Sequence, residues 1–290
     1  MTIGPEPLGI LAGGGDLPAR VADAARASGR AVFVVGLEGF ADPATLAPYP
    51  HAIIRLGAAG HILAALRAQR CRDLVLIGAV RRPSVLDMRP DTDGVRLLAR
   101  VGRAAFAGDD GLLSAVIRVL GEEGFRVLGA HEIVADALAP AGLLTRAAPD
   151  AQATADIARG VAVAHALGSV DVGQACVVQQ GFVLAVEAVE GTDAMLARCA
   201  ALARRGTGGV LVKLVKPGQE RRADLPTIGA DTVLAAAAAG LRGIACEAQG
   251  VMLADRAAAV AAADAAGLFL LGLDPDGLDS SGFDTKGNTA

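Results

Sequence analysis

The sequence predicts an α/β protein with a Rossmann-like N-terminal domain and a second, distinct α/β domain behind it. Three observations carry that expectation. Short apolar runs alternate with amphipathic helical stretches through the first half of the chain. A stretch rich in Pro, Ala and Gly (APAGLLTRAAPDA, 139–151) interrupts the alternation near the middle. Strand and helix patterns then resume, and 290 residues suffice for two domains of ordinary size. The expected limits are 1–140 and 150–275, followed by a polar, glycine-rich tail at 276–290 that is expected to be disordered.

Each element has its own reason. Leu8–Ala12 is an apolar run that enters a glycine cluster, and Asp16–Ser28 follows with helical spacing at Leu17, Val21, Ala24 and Ala25. Gly29 stops that helix. Ala31–Val35, Ala52–Leu56 and Asp73–Val80 read as further strands, with a helix at Ala59–Gln69 between the last two. Such alternation needs crossover helices, so the strands should be parallel and covered on both faces. Helices near Asp91–Phe106 and Asp109–Glu123 and a run at Arg126–Ala130 finish the first half. In the second half, helix Gln152–Leu167 precedes Gln174–Gln179 and Phe182–Glu187, which flank a Gln180-Gly181 hairpin turn. Helix Asp193–Arg204, strand Gly209–Val215, helix Asp231–Ala239, strand Gly243–Glu247, helix Asp255–Ala266 and strand Leu268–Leu273 complete the chain.

Composition narrows the function. Hydrophobic residues make up 53% of the chain, and there is no Trp and one Tyr, which disfavours a stacking platform for single-stranded nucleic acid. A net charge of −4 supplies no broad positive field for a polyanion, so no nucleic-acid partner is expected. Cys71, Cys176, Cys199 and Cys246 lie far apart, as buried thiols in a reducing compartment would, and the expected location is the cytoplasm. The N-terminus lacks a signal-peptide pattern, and Asp264 interrupts the best long apolar run, so no membrane span is expected. Contact with a lipid surface stays open. His51, His61, His131 and His165 are isolated and form no metal-spaced pair.

The strongest local signal is ILAGGGDLP at 10–18. A strand delivers three glycines to a helix mouth, where backbone N–H groups and the dipole favour phosphate. It is neither GxGxxG nor a Walker A loop, and a tight turn capped by Asp16 would explain it too. Arg81 and Arg82, in GAVRRP after the fourth strand, suit phosphate at the carboxyl end of a parallel sheet, or simply start a solvated loop. Asp109 and Asp110 open a helix, and capping accounts for one of them. In the second half, Gln174 precedes a strand, and Glu187, Glu190, Thr192 and Asp193 follow the hairpin. The run from Lys213 through Lys216, Gln219, Arg221, Arg222 and Asp224 to Thr227 mixes bases with an acid. It would serve as a cradle for a diphosphate and a hard divalent metal, or as a charged surface loop. Lys213 stands inside an apolar strand, which is costly unless its ammonium finds a partner or solvent.

Taken together, LAGGGDLP, GAVRRP, GDDGLL with EEGFRVLGAHE, DVGQACVVQQGFVLAVEAVEGTDAML and VLVKLVKPGQERRADLPTIG resemble one family, in order from about Leu8 to Pro275. It is the magnesium-dependent UDP-2,3-diacylglucosamine pyrophosphatase family of Gram-negative lipid A synthesis, unrelated to the metallophosphoesterases. The resemblance implies two domains and hydrolysis of the substrate to 2,3-diacylglucosamine 1-phosphate and UMP. By position it makes Asp224 the catalytic or metal-binding acid and Gly13, Gly14, Gly15, Asp16 and Leu17 a nucleotide-contacting turn. The acyl chains come from the resemblance alone.

The candidate set is then Asp224, Lys213 and Arg221 for catalysis, and Asp224 and Glu190 for Mg2+ or Mn2+. For the substrate it is Gly13–Leu17, Gly78, Arg81, Arg82, Asp109, Gln174, Thr192, Asp193, Lys216, Gln219 and Thr227. Peripheral membrane contact and assembly as a homodimer stay open. Two other readings stand beside this one. A dinucleotide oxidoreductase would use Glu38 on a ribose, although the glycine fingerprint is broken. A non-catalytic sensor would bind a nucleotide sugar without cleaving it.

Overall fold

A computed structural model describes residues 6–80, 89–102 and 109–274, the side chains of Asp109 and Asp110 excepted. Arg81, Arg82, the side chain of Asp109 and the 276–290 tail lie outside the described residues. The chain divides into two compact units. The first comprises residues up to Ala135 together with Glu220–Asp224, and the second comprises Asp136–Gln219 and the chain from Leu225 onward.

The first unit runs β1 (Leu8–Ala12), α1 (Leu17–Ala27), β2 (Val32–Leu37), α2 (Pro43–Leu46), β3 (His51–Ile54), α3 (Ala59–Ala68), β4 (Asp73–Ile77), α4 (Thr92–Val101), α5 (Asp109–Glu122), β5 (Arg126–Leu128) and α6 (Ala130–Ile133). Its five strands are all parallel, in the order β3-β2-β1-β4-β5, which is the Rossmann-like arrangement expected from the alternation. β1 and β2 are almost wholly apolar because helices cover both faces. On one face Ile62, Leu63 and Leu66 of α3 and Ile117 and Leu120 of α5 pack with Val35, Leu74 and Val127. α1 packs on β1 and β2.

Several first-unit bounds differ from expectation, and at two of them a glycine stops the element early. β4 ends at Ile77 rather than Val80, because the chain turns at Gly78, whose φ is +100°. α4 ends at Val101, where Gly102 takes φ +60°, rather than at Phe106. At the amino ends of the strands, Asp73 is held by Arg126 (2.7 and 2.8 Å) and by Arg30 (2.5 Å).

The second unit runs β6 (Gly142–Leu143), α7 (Ala151–Ser169), β7 (Ala175–Gln179), β8 (Phe182–Val186), α8 (Gly191–Cys199), β9 (Val210–Lys213), β10 (Thr227–Ile228), α9 (Ala230–Ala238), β11 (Gly243–Glu247), β12 (Met252–Leu253), α10 (Arg256–Ala266) and β13 (Phe269–Leu273). Six strands form one mixed sheet in the order β6-β13-β11-β9-β7-β8, and β10 pairs with β12 apart from it. β9, β11 and β13 are parallel, whereas β7 runs antiparallel to β9. Alternate residues serve alternate faces. Cys176, Val178, Val210 and Val212 meet Ile157, Val161 and Ala164 of α7 on one side. Val177, Leu211 and Ile244 meet Met195, Val233 and Ala259 of the other helices on the opposite side.

Gln180 and Gly181 make the expected hairpin turn, with φ of +53° and +79°. The buried Asp156 carboxylate caps it, accepting from Gln180 N (2.9 Å) and Gly181 N (2.7 Å). α8 stops at Cys199 and tightens into a 3₁₀ turn at Ala200–Leu202 rather than running on to Arg204. β9 ends at Lys213, so that lysine closes the strand instead of interrupting it. The four cysteines are buried and unbridged, as expected. Burial pushes the Cys71 thiol up to about 11 and those of Cys176 and Cys246 to about 12, so they are neutral, inert groups.

Candidate functional site

In the first unit the strand order reverses between β1 and β4, and open parallel sheets bind ligands beyond the carboxyl ends at such a point. The Gly13–Asp16 and Gly78–Val80 loops leave from there, and the backbone ties them together. Gly14 N donates to Ala79 O and Ala79 N donates back to Gly14 O, both at 2.9 Å. A Cβ on Gly13 would lie 2.6 Å from the carbonyl oxygens of both Gly78 and Ala79. Gly13 and Gly78 are therefore small because the two loops touch each other, a reason that needs no ligand. Gly15 is different: its φ is +85° and nothing lies within 4 Å of where a Cβ would stand. Asp16 takes the N-cap position of α1 but makes no side-chain capping bond, contrary to the simple turn explanation. Gly15 and Asp16 are both exposed at the helix mouth, and Leu17 opens the helix half-buried.

The Glu220–Asp224 segment belongs to this same unit. Ala223 packs on the first unit's core, and Ala223 N and Asp224 N both donate to Glu220 O (3.1 and 3.0 Å), forming one tight turn. Arg222 closes its fork on Glu220 (2.8 and 2.7 Å), which holds that carboxyl below the usual range. Arg221 is exposed and lies near His131 of α6. Burial and the Arg221 charge lower the His131 pKa, against an opposing pull from Glu132. Asp224 is half-buried.

In the second unit the carboxyl end of β9 carries a buried polar chain. The Lys213 ammonium donates to Thr192 Oγ1 (2.9 Å) and to the Thr227 carbonyl (3.0 Å). Thr192 Oγ1 donates in turn to Glu187 Oε1, and the other Glu187 oxygen accepts from Gln174 N (3.2 Å). Lys213 and Glu187 are each only 6% exposed. The antiparallel turnover of β7 and β8 brings Gln174 and Glu187 to this end of the sheet, and the start of α8 brings Thr192. On the neighbouring strand Glu247 Oε2 accepts from Val215 N (3.0 Å).

The run from Lys213 to Thr227 is thus not one basic cradle. Lys213 is buried in the second unit. Lys216 pairs with Asp171 (2.7 Å), and its backbone N–H donates to Gln219 Oε1 (3.0 Å). Arg222 pairs with Glu220, and Asp224 sits in the first unit. Thr227 contributes its carbonyl, its hydroxyl turning to Leu225 O (3.1 Å). Asp193 is exposed in the first turn of α8. The Glu190 carboxyl is held below its usual range by its own backbone N–H and by Arg198, 2.7 Å away. Among the described residues no group of three or more His, Cys, Asp or Glu side chains could cage a metal. Glu187, Glu220 and His131 were not in the candidate set. An acid closing an apolar strand, as Glu187 does, was the available signal for the first of them.

Two family models match the chain. Residues 7–137 match the one described as the LpxI N-terminal domain, and residues 140–271 match the LpxI C-terminal domain. The chain is also 47% identical over 274 residues to the UDP-2,3-diacylglucosamine pyrophosphatase LpxI of Caulobacter vibrioides, covering 92% of this chain and 98% of that relative.

Proposed function

The chain belongs to the LpxI family, and from that premise we propose that it is a hydrolase cleaving the pyrophosphate of UDP-2,3-diacylglucosamine in lipid A biosynthesis. The observation that carries this reading is the match across both domains and nearly the whole length of a pyrophosphatase. Water adds to one phosphorus and the bridging P–O bond breaks. The products are UMP and 2,3-diacylglucosamine 1-phosphate, and as both phosphates become dianions the two protons of the water are released.

Each unit suits one part of this task. In the first, the open helix mouth at Gly15 and Asp16 offers main-chain N–H groups to a nucleotide phosphate. Asp224 accepts a hydrogen bond from the attacking water and so orients it, with Arg221 offering positive charge to the phosphoryl oxygens. In the second, the Lys213 ammonium offsets charge that gathers on the leaving phosphate as the bond breaks. Thr192 and Thr227 hold that lysine, and Gln174 N donates to Glu187 beside it.

Asp224 fits magnesium, which takes one or two protein carboxylates and fills its shell with water and substrate oxygens. Glu190, the other oxygen donor proposed for the ion, is engaged by Arg198. When bound, the ion neutralises diphosphate charge and polarises a phosphoryl oxygen. No helix among the described residues is long and apolar enough to cross a membrane. In this reading a cytoplasmic enzyme meets its diacylated substrate peripherally, at the inner face of the inner membrane, with a homodimer as its assembly.

The test is direct. Purified protein with UDP-2,3-diacylglucosamine and Mg2+ should release UMP. Tight binding of the substrate without UMP release would favour the sensor reading instead, and NAD(P) carried through gentle purification would favour the oxidoreductase.

A further inference from the structure

The second unit carries a surface patch to which the reaction itself gives no task. It lies at the opposite end of β9 from Lys213, where the β7–β8 hairpin turns and the 203–209 loop enters β9. Residues 180–183 and 201–207 are all exposed there. Phe182, 56% exposed, is the one exposed aromatic among the described residues, and Leu202, 46% exposed, ends the 3₁₀ turn beyond α8. The Arg204 guanidinium lies over the Phe182 ring, 4.0 Å from its centroid, and Arg205 follows it. Neither arginine has a carboxylate partner among the described residues. The chain holds no Asp or Glu at 172–186 or at 194–219. Asp156, the acid beneath the hairpin, is buried and already accepts from Gln180 N and Gly181 N.

This loop is also held more firmly than an ordinary solvated one. The Gln179 side chain, 2% exposed, donates to Arg204 O (3.0 Å) and Thr207 O (2.7 Å) and accepts from Arg204 N (2.8 Å). Gln180 Nε2 donates to Arg205 O (3.1 Å). A buried amide with both donor hydrogens and its oxygen on one loop fixes the main chain beneath the two arginines. A net charge of −4 gives the whole protein no broad attraction to an anion, so any such attraction is local. Fixed positive charge beside exposed apolar side chains complements an anionic lipid surface. Headgroup phosphates take the guanidiniums, and the ring and the leucine enter the acyl boundary.

We propose that Phe182, Leu202, Arg204 and Arg205 form the surface by which this protein docks on an anionic phospholipid bilayer. The proposal deepens the reading above and rests on it, since a diacylated substrate favours a bilayer over an acidic protein or a second copy of the chain. Because β9 separates the patch from Lys213, docking and bond cleavage can be broken independently.

The experiment is co-sedimentation of the full chain, without substrate, with vesicles of phosphatidylglycerol and phosphatidylcholine or of phosphatidylcholine alone. The parent should sediment with the anionic vesicles, not with the neutral ones, and leave them as salt rises to about 0.5 M. Arg204→Gln with Arg205→Gln should weaken vesicle binding by roughly ten- to thirtyfold. Phe182→Ser with Leu202→Ser should weaken it by roughly tenfold. Both pairs alter exposed side chains, so their urea midpoints should stay close to the parent's. Both should release UMP within about twofold of the parent's rate from substrate in detergent micelles, and about tenfold more slowly from substrate in anionic vesicles. The proposal is overturned if the parent ignores the anionic vesicles, binds neutral ones equally, or loses nothing in either paired variant. Binding of poly-glutamate in place of vesicles would overturn it in favour of an acidic protein. A dimer that Phe182→Ser with Leu202→Ser splits, with vesicle binding intact, would overturn it in favour of a second copy. Absence of UMP release by the parent from micelles would strike the pyrophosphatase reading instead, while sedimentation without substrate still decides the patch.

Discussion

The two units present their chemistry at the carboxyl ends of parallel strands by opposite means. In the first unit the backbone does the work. Gly13, Gly14, Gly78 and Ala79 bind one another through main-chain atoms, and Gly15 and Asp16 leave a helix mouth open. In the second unit side chains do it, with Glu187, Thr192 and Lys213 forming a buried chain that closes on a main-chain carbonyl. A main-chain site tolerates side-chain change except where a Cβ collides with backbone. A side-chain site tolerates backbone variation, but an isosteric swap that deletes one proton disables it. Asp224 complicates the contrast usefully, because it comes from the second half of the chain and clusters with the first unit.

The largest effect should follow from chelation. UMP release should fall to background in excess EDTA and return with Mg2+, and Mn2+ should outperform Zn2+ because the donors are oxygens. Full turnover in excess EDTA would sink the metal and leave the first unit a binding site only.

Next comes Asp224→Ala. It should fold, bind substrate and lose roughly a hundred- to a thousandfold in kcat, about 3–4 kcal/mol of barrier. Ground-state affinity should suffer less, since the helix mouth and the lysine remain. If Asp224 is only a surface charge, turnover within about threefold of the parent is expected, a salt bridge there being worth about 1 kcal/mol or less. That rate would remove it from the site.

The glycines separate fold from binding within one turn. Gly13→Ala drives a Cβ to 2.6 Å from two backbone carbonyl oxygens and should cost about 2–3 kcal/mol of stability. Gly15→Ala meets open space and carries only the penalty of φ +85°, about 1–2 kcal/mol. Gly14→Val lies between, its Cβ 3.0 Å from Phe40 O, and should weaken UMP affinity more than it lowers the denaturation midpoint. Urea titrations beside UMP binding isotherms measure both quantities. Unchanged UMP affinity in folded Gly14→Val and Gly15→Ala would make the turn purely structural.

The smallest effect concerns the far end of the first sheet. Hydrogen bonds from Arg126, opposed by burial and aided by Arg30, hold the Asp73 pKa below its ordinary 3.8. A depressed folded pKa means that the ion pair contributes its stability fully above about pH 4 and loses it as pH falls through the folded value. Acid titration of the urea midpoint should show this loss below pH 4, and Asp73→Asn should flatten the slope. An unchanged slope in Asp73→Asn would assign the acid sensitivity elsewhere.

Much of this was legible beforehand for physical reasons that act over short distances. Parallel strands buried on both faces must be apolar, so β1, β2 and β4 announce themselves. Gln180-Gly181 accepts the positive φ that a two-residue hairpin demands. The two-residue strands β6, β10 and β12 are too short to show any periodicity. The end of α4 at Gly102 was hidden because helical spacing continues past it.

The sequence by itself determined two α/β units, the glycine turn at the head of α1 and the family of the chain. Those properties depend on residues close together, where spacing dictates backbone conformation and which face is apolar. Only the tertiary structure decided that Glu220–Asp224 joins the first unit, and that Lys213 is claimed by Thr192 and Thr227 from residues 21 and 14 positions away. It also decided that Arg222 spends its fork on Glu220. A charged side chain's partner is whatever the folded sheet brings within about 3 Å of it, and spacing along the chain carries no record of that distance.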